Sequence, residues 1–238
     1  MWLRYNLCNS ITNTKTMKHL VLYSTIVGGF FAQSEALDAA ISKAREEAGD
    51  ETWKRGYSGS SNSGATAIAQ SYLKAAEIKA LPVEGWLGFV GFVENRDHAG
   101  NSYPKLRIGV MTEQGDQLML SLDLKSDVAQ RLLVKLDNCL PDQFIRISAW
   151  PTVVERDGRS FVNHAASVKD ASGKEIPANT SFSAQVKAEC EKVESALKAV
   201  GVTDKKVIST AKANKRIECH KTLLLKIKDN FVEVLEQV

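Results

Sequence analysis

The stretch YPKLRIGVMTEQGDQLMLSL, which runs from Tyr103 to Leu122, alternates apolar and polar residues on both sides of a short polar turn. Alternation with a period of two is typical of a β-strand that places one face in a core. The positions expected to face the core are Leu106, Ile108, Val110, Leu118, Leu120 and Leu122. Lys105 and Arg107 fall on the opposite face. The stretch therefore predicts a two-stranded hairpin with an apolar and a basic side.

Further elements are predicted on both sides of this hairpin. A strand over Gly85–Glu94 precedes it, and a helix capped by Ser126 and ending near Asn138 follows it. Two more strands, Gln143–Trp150 and Phe161–Lys169, complete the series. The order from Leu87 to Asp170 is strand-strand-strand-helix-strand-strand, which is typical of a small barrel of the oligonucleotide-binding (OB) type. The predicted fold class is α+β, a five-stranded OB-type β-barrel with flanking N- and C-terminal helices.

Three glycines lie in the first strand of this series, at Gly85, Gly88 and Gly91. A glycine inside a strand marks a sharp bend or a place where another part of the chain comes close. We therefore expect strong coiling or close packing along this strand.

The chain divides by composition into residues 1–82, an N-terminal arm with helices and a Gly/Ser-rich loop, residues 83–173, the barrel, and residues 174–238, a basic helical region. In the last part, Gly201 ends one predicted helix, Thr203 caps a short helix through Ala211, and a separate last helix runs from about Ile217 to Leu235. In the first part, Ser34 caps and Gly49 ends a predicted helix. The apolar segment before it, His19 to Phe31, is interpreted as a strand or irregular arm. The alternative is that Met17–Ala32 is a short secretory signal, which would export the protein. Met17 is also a candidate for the true start.

The bulk composition is that of an ordinary globular protein. The 238 residues are 44% hydrophobic and 25% charged, with a formal net charge of +3. This mildly basic balance permits a nucleic-acid partner without requiring one. The four cysteines form no CxxC pair, which favours reduced thiols in a cytoplasmic protein, in the host cytoplasm if the protein is viral. No apolar run is long enough to predict a membrane span.

The run Phe144–Trp150, FIRISAW, and the run Gly158–Asn163, GRSFVN, carry a resemblance to a known family. Together with the long hairpin between them, they resemble OB-fold single-stranded-DNA-binding proteins of phages and mobile elements. The resemblance covers about a third of the chain. It implies a basic residue in the fourth strand and an aromatic residue two positions before an asparagine in the fifth as parts of the DNA site. The chain lacks the acidic C-terminal tail typical of that family, which leaves the usual recruitment of partners in doubt.

Single strands are held by bases stacked on aromatic rings and by cations along the phosphates. Residues of these two kinds predicted on one face or in the hairpins are Trp86, Phe92, Tyr103, Lys105, Arg107, Phe144, Arg146, Trp150, Arg156, Arg159 and Phe161. Several of the aromatic residues are equally well interpreted as core. The segment from Val83 to Asp170 carries two more acidic than basic residues. The tail cations that we consider as additional contacts are Lys205, Lys206, Lys212, Lys215 and Arg216.

We therefore expect a non-enzymatic protein without cofactor or metal that binds single-stranded DNA in replication or recombination. Its expected partners are single-stranded DNA and replication or recombination proteins, with no membrane, and with self-association through the C-terminal helices as an option. No nucleotide-binding, hydrolase or metalloprotease motif is present in the sequence. The alternatives are a protein-interaction OB module and an exported OB-fold protein that binds an envelope or sugar ligand.

Overall fold

The computed structural model describes residues 17–59, 64–96, 102–156 and 159–235. The middle of the predicted Gly/Ser-rich loop, residues 60–63, lies outside these residues. The strands are β1 (Lys18–Ser24), β2 (Gly29–Ala32), β3 (Val83–Arg96), β4 (Ser102–Met111), β5 (Gln117–Asp123), β6 (Phe144–Arg156) and β7 (Arg159–Asp170). The helices are α1 (Glu35–Ala48), α2 (Asp50–Lys54), α3 (Ala65–Ala75), α4 (Asp127–Leu136), α5 (Thr180–Ala199) and α6 (Lys205–Leu235).

All seven strands belong to one mixed sheet in the order β2-β1-β5-β4-β3-β6-β7. The prediction of a five-stranded OB barrel is wrong. The predicted order of strands and helix is present, but β5 pairs in parallel with β1, with Leu20 opposite Met119 and Val21 opposite Leu120. The sheet is a half-barrel, and in the part of the chain that the structure describes β7 pairs with β6 alone.

The two ends of the half-barrel approach each other. The Tyr23 hydroxyl of β1 is hydrogen-bonded to Nδ1 of His164 in β7 at 2.8 Å. Gly28, in the turn between β1 and β2, has φ +81°, and a Cβ there would lie 2.4 Å from Cδ of Pro151 in β6. Close packing of this turn on β6 therefore depends on a glycine. Burial of the Tyr23 hydroxyl raises its pKa to about 12.

The core lies on one face of the sheet, below α4 and α6. The predicted inward residues of β4 and β5, such as Ile108 and Leu120, are fully buried, which confirms the predicted alternation. They pack with Leu132 of α4 and with Leu224 and Ile227 of α6 in one apolar cluster. We name this side of the sheet the inner face. Its apolar side chains account for the position of both helices.

The helix ends follow the predicted signals at three positions. Ser34 accepts a hydrogen bond from the Leu37 amide at 3.1 Å, and Ser126 accepts one from the Ala129 amide at 3.2 Å. Gly49 follows α1 with φ +73°. These side-chain bonds satisfy amides that a helix start leaves without partners.

The C-terminal region differs from its prediction. The sequence indicated a short helix capped by Thr203 and then a separate last helix. The structure has one helix of 31 residues, α6, whose first turn is bonded to the Asp204 carboxylate through the Lys206 amide at 2.7 Å. The segment near Lys212 contains neither glycine nor proline, so nothing in it stops the helix.

No helix in the described ranges is long and apolar enough to cross a membrane.

Candidate nucleic-acid interface

The sheet face opposite α4 and α6 carries most of the predicted binding residues. We name it the outer face and define it by the register of the strands: Trp86 lies opposite Met111 and Phe144, Arg107 opposite Gly91 and Ser121, and Arg146 opposite Glu84. Among its members are Trp86, Phe89, Tyr103, Lys105, Arg107, Met111, Phe144, Arg146, Trp150, Phe161 and Lys169. Eight of the eleven predicted residues are among them.

Three large aromatic side chains on the outer face are strongly exposed. The exposed fractions are 41% for Trp86, 44% for Trp150 and 48% for Phe161. None of them is part of the buried clusters. An exposed set of large apolar side chains on one face is typical of a binding surface.

An aromatic pair lies on this face where β3 pairs with the first residue of β6. Trp86 and Phe144 are packed edge to face, with ring centroids 5.4 Å apart. The Arg146 guanidinium lies over the Phe144 ring, 5.6 Å from its centroid, and its Nε also donates to the Glu84 carboxylate at 2.9 Å. The exposed indole of Trp86, the Phe144 ring and the Arg146 cation, which Glu84 partly neutralises, therefore lie together on the outer face.

Phe89 was missed in the set of binding residues because a bulge after Leu87 changes the register of β3. The bulge moves Phe89 to the outer face, where a Cβ at Gly91 would lie 2.1 Å from the end of its ring and a Cβ at Gly109 3.0 Å from its own Cβ. The end of the Phe89 ring therefore lies against Gly91, and the Cβ of Phe89 lies beside Gly109 in β4. Gly91 was the sequence signal that a ring comes close to the backbone here.

The basic side chains of β4 lie beside this ring. Arg107 is half-buried, and its Nε is the only buried side-chain nitrogen or oxygen without a hydrogen-bond partner among the described residues. Lys105 lies opposite Asp123 and Val93 in the register. Tyr103, further along the strand, has the Lys125 ammonium 5.6 Å from its ring centroid. An arginine with an unsatisfied buried Nε is a costly group unless something else binds its guanidinium.

The remaining three predicted residues stand apart from this set. Phe92 lies on the inner face, where it packs at the edge of the core and has the Lys221 ammonium of α6 4.7 Å from its ring centroid. Its assignment to the same face as Trp86 is wrong. The bulge between Leu87 and Phe89 shifts the register of β3 by one residue, so Trp86 and Phe92 lie on opposite faces of the sheet. Arg156 and Arg159 face each other in the register at the end of the β6–β7 hairpin. Their side chains lie outside the described residues.

The suspected tail cations lie on the α5–α6 pair rather than on the sheet. Lys212 is bonded to Glu194, which also accepts from Lys198 at 2.7 Å, and these two bonds lower the pKa of Glu194 to about 2. Lys215 lies 3.2 Å from Glu218 and 3.8 Å from Glu189. These ion pairs leave the tail less basic toward solvent than its composition suggests.

Comparisons with known proteins found no matching family model, no matching curated protein and no matching solved structure. Within the described part of the chain, no three His, Cys, Asp or Glu side chains are grouped so that they could hold a metal ion.

Proposed function

We propose that the outer face binds single-stranded DNA, without sequence preference and without a chemical step. The observation that carries the proposal is the presence of three exposed aromatic side chains and several cations on one sheet face that is not covered by the helices α4 and α6. Stacking rings next to phosphate-binding cations are the two components of single-strand binding.

The distribution of charge supports this proposal despite the acidic balance of the segment. On the outer face Lys105, Arg107, Arg146 and Lys169 lie near three carboxylates of the described residues: Glu84, Asp123 and, opposite Lys169, Glu175. Many of the acidic residues lie elsewhere, in turns such as Glu113 and Asp116 or at the β3 end near Lys221. The face on which the aromatic rings lie is therefore the basic one.

The spacing of the rings favours an extended strand. Phe144 and Trp150 are six residues apart on β6, which is ~20 Å at the rise of a β-strand. Adjacent bases in duplex DNA are separated by ~3.4 Å. Rings at this distance therefore stack with bases that are not neighbours, and the nucleotides between them pass Arg146, which lies between the two rings on the same strand face.

The proposal extends to DNA replication or recombination, because single strands are exposed in both processes. Partner proteins from these processes belong to the same proposal.

The test is fluorescence anisotropy with a labelled oligo-dT of ~30 nucleotides, a length that exceeds the span of the face and falls in the multi-site range of single-strand binders. The titration is carried out at low and moderate salt, next to a duplex and an oligo-U of equal length. We expect binding to the single strand that weakens steeply with salt, because bound cations release counterions. Absence of dT binding at low salt would exclude the proposal, and a preference for oligo-U would redirect it to RNA.

Variants connect this binding to the outer face. Trp150→Ala and Phe161→Ala are each expected to weaken dT binding by ~1–3 kcal/mol, the worth of one stacked base. Leu140→Ala is the matched control, because Leu140 is 71% exposed and lies in the loop before β6. Arg107→Gln is expected to reduce the slope of log K against log salt by ~0.7, the value for one phosphate of a single strand. Lys187→Gln on α5 is its control. Equal losses in the variants and their controls would contradict the assignment of the face.

A further inference from the structure

A cavity of about 500 Å³ lies on the other side of the molecule, between α4, the start of α5 and the middle of α6. Residues from all three helices line it, among them Asp127, Arg131 and Lys135 from α4, Phe182 from α5, and Arg216 and His220 from α6. The spacings of four along α4 and α6 place these side chains on the same side of each helix. The α4 stripe lies beside the one that enters the core, so the cavity lies next to the core.

His220 is the most informative group in this cavity. Its side chain is 94% buried (6% exposed), and Nδ1 is hydrogen-bonded to the Arg216 carbonyl at 2.7 Å. A carbonyl accepts, so Nδ1 carries the proton. In the neutral ring Nε2 is then an acceptor, and no partner for it exists among the described residues. Burial lowers the pKa of His220, which favours this neutral form. Nε2 is not among the fully buried atoms, so the cavity that His220 lines gives access to it, and a donor on a bound molecule can reach it.

Two guanidinium groups lie at the same cavity. Arg131 and Arg216 line it, and neither side chain forms an ion pair or hydrogen bond within the described residues. The third cation, Lys135, is bonded to Glu175, and the one carboxylate that lines the cavity is Asp127. The free positive charge of the cavity therefore resides on the two arginines. Arginine binds phosphate and carboxylate in a bidentate manner, with charge-assisted hydrogen bonds.

We propose that this cavity is a binding site for a small anionic ligand, one that carries a phosphate or carboxylate group and a hydroxyl or N–H donor. The anionic group contacts Arg131 and Arg216, and the donor bonds to Nε2 of His220. The volume is within the range of small-molecule pockets, ~300–1,000 Å³. Phe182, whose ring is packed edge to face on His220 with centroids 5.2 Å apart, forms the apolar wall that fixes the imidazole. This site is separate from the outer face and does not depend on the proposed DNA binding.

The experiment is a calorimetric titration of the full chain with three probes: inorganic phosphate, pyrophosphate and citrate. We expect at least one probe to bind, and Arg131→Gln and Arg216→Gln to weaken that binding by about tenfold or more each, since each removes a charge-assisted hydrogen bond. Both arginines are exposed at the mouth of the cavity, so these variants are expected to fold. Arg55→Gln, an exposed arginine after α2, is the matched control and is expected to bind like the wild type.

A second measurement separates the cavity from binding to surface cations. The second measurement is a ¹⁵N–¹H spectrum of the imidazole groups. When hydrogen phosphate or hydrogen citrate, each of which carries a hydroxyl donor, is added, the His220 Nε2 signal is expected to shift. The signal of His19 on β1 is expected to stay constant. No binding by any of the three probes would overturn the proposal, as would binding that Arg131→Gln and Arg216→Gln leave unchanged. The same variants are expected to retain wild-type affinity for oligo-dT. The proposal of an anion site and the proposal of DNA binding on the outer face can therefore fail independently, and the two binding assays tell which one has failed.

Discussion

Gly85 is the position at which one methyl group is expected to damage the fold most. Its φ is +145°, and a Cβ built on it would lie 2.0 Å from the Met111 carbonyl oxygen and 2.8 Å from the carbonyl carbon. These are backbone atoms of β4, held by the pairing of Met111 with Gln117 and by the bond from the Thr112 amide to the Asp116 carbonyl at 2.8 Å. The clash cannot be relieved by rotating a side chain, so β3 and β4 must separate near Trp86.

Two glycines in the same strand provide the scale for this prediction. A Cβ at Gly88 would meet nothing within 4 Å, whereas one at Gly91 would meet the end of the Phe89 ring at 2.1 Å. We expect Gly85→Ala to lower the free energy of unfolding by ~3 kcal/mol or more, as a strained backbone with a lost strand contact does. Gly91→Ala should cost less, because the Phe89 ring can turn away. Gly88→Ala should be neutral or stabilise by up to ~1 kcal/mol, since it restricts the unfolded chain.

The assay is urea unfolding followed by tryptophan fluorescence and far-UV circular dichroism, with thermal melting in parallel. For a chain of this size ~1 kcal/mol corresponds to ~2–4 °C in Tm, so Gly85→Ala is expected to melt roughly 6–12 °C below the wild type. The order Gly85, Gly91, Gly88 is the critical result. If Gly85→Ala and Gly88→Ala unfold within ~1 kcal/mol of each other, a limit close to the error of extrapolation, the close approach of β3 to β4 is refuted.

Three further predictions test the charges and thiols of the structure. Glu84→Gln frees the Arg146 guanidinium, so oligo-dT binding should tighten at low salt and the gain should vanish at high salt, whereas Glu46→Gln on α1 should change nothing. Burial lowers the pKa of His164 and of His220, so the unfolded chain binds more protons near the ordinary histidine pKa of ~6.5 and the free energy of unfolding should fall as the pH drops through that value. His220→Gln should flatten this slope in urea titrations at several pH values, and an unchanged slope would argue against burial of the ring. Burial raises the pKa of the Cys139 thiol to about 12, so mass spectrometry after a short alkylation should find Cys139 unmodified in the folded protein and modified in urea.

Local patterns predicted the local structure well. Leu106, Ile108 and Val110 are fully buried as their alternation indicated, and Ser34 and Ser126 cap their helices. These features depend on residues within a few positions of each other, which is the range over which hydrophobic periodicity and capping act.

The topology depends on contacts that no local pattern encodes. The parallel pairing of β1 with β5 joins residues almost a hundred positions apart, such as Val21 and Leu120. The run from His19 to Phe31 was interpreted as one strand, although Gly28-Gly29 in its middle is a turn signal that divides it into β1 and β2. A divided run adds two strands to the sheet, and the added β1 occupies the edge of β5 that a five-stranded barrel would use for closure.

The candidate interface shows the same division between local and distant causes. Alternation along β4 and β6 was sufficient to place Lys105, Arg107, Phe144 and Trp150 on one face. It failed for Phe89 and Phe92, because one extra residue at the bulge exchanges the two faces for the rest of β3. A bulge is set by the partner strand, and the sequence of β3 alone gives no position for it.

The outer face and the inner face therefore differ in what their residues contribute. On the inner face the apolar side chains are buried and hold α4 and α6, so they explain the fold. On the outer face Trp86, Trp150 and Phe161 keep between 41% and 48% of their surface exposed, so they add little to the core. A sheet needs no exposed tryptophan to be stable, and polar residues are the ordinary choice on a solvated face. On that face the end of the Phe89 ring also lies against Gly91, where a larger side chain would clash with it. Rings and cations on a face that the core does not require are therefore the basis of our proposal that this face binds a ligand with stacked bases and phosphates.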